Sequence, residues 1–72
     1  MISHFTSATD VRHHLDDLLA ERSLADAQGL MAIDAYRDDL DHEIAAVRSA
    51  YVGAAITEIA TLRGQLSGRL QG

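Results

Sequence analysis

At 72 residues the chain has room for one small domain, and with no cysteine it has no disulfide, thiolate metal site or cysteine nucleophile. Apolar residues make up 47% of it, too many for a disordered tail, yet no apolar run reaches the eighteen or so residues of a membrane span. Net charge is −5, with all six basic residues arginine, so the bulk neutralisation of phosphate that nucleic-acid binding needs is missing. The charge is also uneven. Residues 30–47 carry five acids against one arginine (−4), and residues 48–72 carry one acid against three arginines (+2).

Residues 1–6 read as a short lead without the basic cluster and apolar core of a signal peptide, so a cytoplasmic protein is expected. Ser7 with Asp10 makes a capping-box-like start. A first amphipathic helix is predicted over about residues 8–22, with Val11, Leu15, Leu18 and Leu19 on one face. Ser23 and Asp26 repeat the capping pattern and Gly29 is the first glycine, which places the reversal at about residues 23–29. A second helix is predicted over about residues 30–70, uninterrupted because proline is absent.

This second helix has two unlike sides. Ile33, Leu40, Ile44, Val47, Tyr51, Ile59, Leu62, Leu66 and Leu70 step by three, four, seven or eight along one of them. Ala46, Ala50, Gly53, Thr57, Ala60, Gly64 and Ser67 run along the other, and small residues of this kind let a second helix approach closely. The unequal helix lengths set the first helix against about residues 31–45 and leave an apolar face bare from Arg48 onward. Antiparallel pairing of two such helices, crossing near residue 55, would bring the acids at 38–43 of one toward Arg63 and Arg69 of the other. The expected architecture is therefore all-α: residues 1–72 form a single helical-hairpin domain that assembles as an antiparallel homodimeric four-helix bundle. Val47, Tyr51, Gly53, Ile59, Leu62 and Leu66 are the expected self-association residues.

Chemistry is sparse. There is no Gly-x-Ser-x-Gly elbow, phosphate-cradling glycine loop or His-Glu-x-x-His pair, so no catalytic residue, cofactor or enzymatic activity is expected. Asp39 and His42 at i, i+3 and His13 and Asp17 at i, i+4 raise a metal-binding or pH-responsive bundle as an alternative, using His14, Asp17, Asp39 and His42. The only match to the Glu-x-x-His motif of di-metal bundles is one Asp-x-x-His. Ala25, Gly29 and Ile33 have the spacing of a helix-turn-helix, but four aspartates and one arginine in residues 33–41 would repel phosphate. Tyr51-Val52-Gly53 is similar to the Trp-x-Gly turn of small helical-hairpin substrates of type VII secretion. It lacks the tryptophan, lies inside a helical pattern and leaves a short arm after it, so a secretion substrate is a minor alternative; a further one is an accessory subunit whose second helix docks on a larger partner in place of its twin.

The expected function is a non-enzymatic protein–protein interaction module of bacterial or phage origin. Adaptor, inhibitor, antitoxin-like neutraliser and phage-assembly component all suit it. Its acidic face, Asp34, Asp38, Asp39, Asp41 and Glu43, is expected to meet a second protein with a basic patch.

Overall fold

The computed structural model describes residues 7–71, with side chains through residue 68. The expected lead at residues 1–6, and the side chains of Arg69 and Leu70, lie outside the described residues. Every described element is helical: α1 (Ala8–Ala27), one 3-10 turn (Leu30–Ala32) and α2 (Asp34–Gln71). The chain is an all-helical hairpin.

α1 starts where its capping residue stands. Ser7 is extended, and its Oγ accepts a hydrogen bond from the Asp10 N–H at 3.1 Å, satisfying one of the donors left open in a first turn. The helix runs on to Ala27, past the end predicted near residue 22. Ser23 and Asp26 sit inside it and start no new helix. No proline or glycine interrupts residues 23–28, and continuing the helix buries Ala25. The chain turns later, at Gly29, whose φ of 79° and ψ of 7° lie in the left-handed region. A Cβ there would meet nothing within 4 Å, so glycine is required by backbone conformation and not by crowding. The Gln28 and Gly29 N–H groups donate to Leu24 and Asp26 carbonyls, both at 3.1 Å, closing the helix end. The 3-10 turn then spends the residues expected to open the second helix, and Ile33 is left exposed at the junction.

α2 is 38 residues long, about 57 Å at 1.5 Å per residue, which accounts for the 59 Å long dimension of the molecule. α1 packs antiparallel on its first part. Leu15 and Leu18 meet Leu40 and Ile44 to form the core, with Met31, Tyr36 and Val47 packed at its edge. Farther along, the Arg12 guanidinium lies 5.9 Å from the Tyr51 ring centroid, a cation–π contact. At the far end the Ala8 N–H donates to Glu58 Oε2 at 2.7 Å, so a carboxylate of α2 closes the positive end of α1. The intrachain cover thus reaches Glu58, and the expectation that α2 is bare from Arg48 is corrected. A longer α1 and a later turn move the whole pairing toward the C-terminus of α2.

Among the described residues, no other element packs on the helix beyond Glu58. The radius of gyration is 17.1 Å, where a compact chain of this length would have about 11 Å. The accessible surface is 5491 Å², where about 4,400 Å² is usual for a folded monomer of this size. Two substitutions should separate hairpin from arm when urea midpoints are measured at high dilution. Gly29→Ala is expected to lower hairpin stability by about 1 kcal/mol, through the left-handed backbone. Ile44→Ala should remove about 3 kcal/mol, because it opens the small core. Ile59→Ala, on the exposed arm, should leave the midpoint of the isolated hairpin within about 0.5 kcal/mol of the parent.

Candidate functional site

The acidic side of α2 is largely engaged by the hairpin itself. Arg37 Nη2 lies between Asp34 and Asp38, at 3.3 and 3.4 Å. Arg22 Nε donates to Asp41 at 2.8 Å across the two helices, and His14 Nε2 lies 3.8 Å from Glu43. Tyr36 adds a further cross-helix bond, its hydroxyl donating to Glu21 at 2.8 Å. Of the expected partner-binding face, only Asp39 stands outside these contacts, and it is exposed. The contacts set helix register more than stability, since exposed pairs are individually weak. They also perturb titration. The hydrogen bond from Arg22 holds Asp41 below the ordinary carboxylate range, and Asp41 in turn raises Arg22. The bond to Glu21, then partial burial, pushes the Tyr36 hydroxyl up.

The four residues expected to hold a metal are not brought together. Among the described residues no group of three or more His, Asp or Glu side chains converges as a ligand set. His14 turns toward Glu43. Asp39 and His42 are exposed, and helical spacing places them roughly a third to half a turn from the Leu40 and Ile44 face that meets α1. The spacing that suggested a shared face therefore points both side chains away from the first helix.

The apolar arm is the larger feature. Val52, Ile56, Ile59, Leu62 and Leu66 are between 47% and 61% exposed. Within the expected self-association set, Val47 packs on the hairpin core and Tyr51 lies beneath Arg12, so both serve the monomer. Ile59, Leu62 and Leu66 are exposed. Gly53 is exposed on the small-residue flank, its carbonyl accepting from Thr57 Oγ1 at 2.9 Å, with nothing near the place of a Cβ. The intrachain packing therefore makes no demand for glycine at 53 or 64. Val52 and Ile56 belong to the exposed row and were missed when large residues were assigned to one continuous side. A usable signal was present, because Ala45, Val52, Ile59 and Leu66 recur at seven-residue intervals.

Two seams run along α2 in consequence. Leu40, Ile44, Val47, Tyr51, Ala54 and Glu58 alternate steps of four and three, and this seam faces α1. Asp41, Ala45, Arg48, Val52, Ala55, Ile59, Leu62 and Leu66 repeat the same steps one residue later, about 100° around the helix. The first seam is filled. The second is open along its whole length except where Asp41 meets Arg22 and Ala55 is half-buried.

No described helix is long and apolar enough to cross a membrane. Comparisons with family models, with curated proteins and with solved structures gave no match. Fold and surface together define an all-α helical hairpin with an unfilled apolar seam on its long helix.

The polar staples should show in pH titrations of hairpin stability. Asp41 has a folded pKa below its unfolded one, so its contribution is complete above about pH 4 and is lost as pH falls through the lower folded value. Asp41→Asn should therefore remove part of the acid-side slope in urea midpoints below about pH 4, while leaving the rest of the profile in place. Tyr36 has a raised folded pKa, so its contribution is complete below about pH 10 and is lost as pH rises from there through the higher folded value. Tyr36→Phe should flatten the alkaline side alone.

Proposed function

We propose that the protein is a non-enzymatic interaction module that works as a homodimer, the exposed row Val52, Ile56, Ile59, Leu62 and Leu66 forming the self-association surface. The single observation behind this reading is that row: Val52 and Ile56 lie off the seam that faces α1, and Ile59, Leu62 and Leu66 lie past its last contact at Glu58. Scattered exposed hydrophobes are ordinary, but a contiguous row of large ones rimmed by polar residues marks an interaction site. The whole chain exposes about 1,100 Å² more than a compact monomer of its mass, as expected of a chain that gains cover from a partner.

A dimer would present two copies of the acidic flank to a further protein. Asp39, outside the intrachain ion pairs, and its neighbour Asp38 would steer a basic partner toward it. Adaptor, inhibitor, antitoxin-like and phage-assembly roles share this physical plan. No catalytic step is assigned, since neither seam carries a nucleophile beside a base.

Light scattering at micromolar concentration should report twice the chain mass. A double change, Ile56→Glu with Ile59→Glu, should raise the dissociation constant by roughly 100-fold or more, since two charges would be buried without partners. The helicity of the monomer should survive, because both residues lie off the core. A wild-type chain that stays monomeric across that range rules out the dimer.

A further inference from the structure

The unfilled seam passes two complementary features. At its C-terminal end is the arm, where Ile59, Leu62 and Leu66 extend past Glu58, the last contact with α1. At its other end is a groove of about 400 Å³ between the helices, lined by Leu19 of α1 and by Arg22, Asp41, Ile44, Ala45 and Arg48. Leu19 is an exposed apolar residue beside this groove, and Ala45 supplies a small floor on the seam itself. The arm cannot reach the groove of its own chain, because both lie on one straight helix, separated by about 30 Å between Ala45 and Leu66. A second copy running the opposite way can bring them together.

We infer that two copies exchange arms: α2 of each runs antiparallel to the other, crossing near Ala55, and each arm lies in the groove between α1 and α2 of the other copy. This rests on the dimer reading and specifies its geometry. A crossing there sets Leu66 of one copy beside Ala45, Ile44 and Leu19 of the other, and Ile59 beside Val52. Each groove is then filled only by the second copy. The apolar residues of the arm also spread over about a third of a turn, from Leu62 round to Ile56, a width suited to contact with two helices at once. Charge favours the same direction. The −4 segment at residues 30–47 meets the +2 segment at residues 48–72, whereas parallel pairing sets acid beside acid.

The arrangement departs from a simple four-helix bundle. α1 spans only the part of α2 up to Glu58, so in the crossed pair the two α1 helices overlap little. The assembly is three helices thick on each side of the crossing, with α1, α2 and the arm of the second copy together over about residues 39–51 of α2.

The natural absence of cysteine makes the test clean. Disulfide formation requires Cα atoms within about 7 Å. Ala45→Cys mixed with Leu66→Cys should give a linked heterodimer, and Leu19→Cys mixed with Leu66→Cys should do the same. Leu66→Cys alone should link at least roughly tenfold more slowly, since its two copies would stand about 30 Å apart. Ile56→Cys alone, near the crossing, should link to itself. Rapid self-linking of Leu66→Cys in a protein that scatters as a dimer would overturn the antiparallel geometry. A dimer in which neither mixed pair links would overturn arm exchange. A monomer by light scattering would instead remove the dimer reading beneath both.

Discussion

Unequal helix length is the constraint on which the rest of this structure depends. α1 has 20 residues and α2 has 38, and a helix is too stiff to fold its surplus back over itself. The described contacts between α1 and α2 fall before the surplus begins, among them the Leu15, Leu18, Leu40 and Ile44 core, the Arg22–Asp41 pair, the Arg12–Tyr51 contact and the Glu58 carboxylate at the start of α1. What lies beyond is helix with an exposed apolar row and no neighbour among the described residues. A core of that size is modest for any independently folding chain, and small domains commonly gain further stability by association.

The two seams of α2 translate that constraint into a direction. A helix that packs on one neighbour needs one row of apolar residues, whereas a helix at the corner of a bundle needs two rows roughly a right angle apart. The rows beginning at Leu40 and at Asp41 differ by one residue and therefore by about 100°. α1 fills the first. The second changes character along its length, polar at Asp41 and Arg48 and apolar from Val52 onward, and its polar part also carries Ala45, beside Leu19 and Ile44 in the groove. The acids near the start of α2 are mostly satisfied locally by Arg37, Arg22 and His14, which makes them register pins for the hairpin as well as surface charge.

Much of the fold could be read from residues alone. Ser7 and Asp10 mark a helix start through a capping geometry that needs only local atoms, and Gly29 marks the turn because left-handed backbone suits glycine. The end of α1 was misread because Ser23 and Asp26 have the same local chemistry as a cap. Whether such residues cap or continue a helix depends on what the next turn can bury, here Ala25. The candidate site was less legible. Val47 and Tyr51 look identical in pattern to Ile59 and Leu66, and only the reach of α1 separates residues that serve the monomer from residues left exposed. The histidine and aspartate spacing suggested a ligand set, yet spacing within one helix says nothing about which way that face turns relative to the next.

By itself the sequence determined the helices, their order and the existence of an apolar surplus, because these follow from periodicity, capping and backbone preference, all of which act within a few residues. Only the tertiary structure decided which face of the second helix the first one covers and where that cover stops, and hence that the unfilled seam is the one through Val52, Ile59 and Leu66. That division has a physical cause. Register between two helices is set by the turn and by contacts between residues up to fifty positions apart, such as the Ala8 N–H and the Glu58 carboxylate, and no local pattern encodes those pairings.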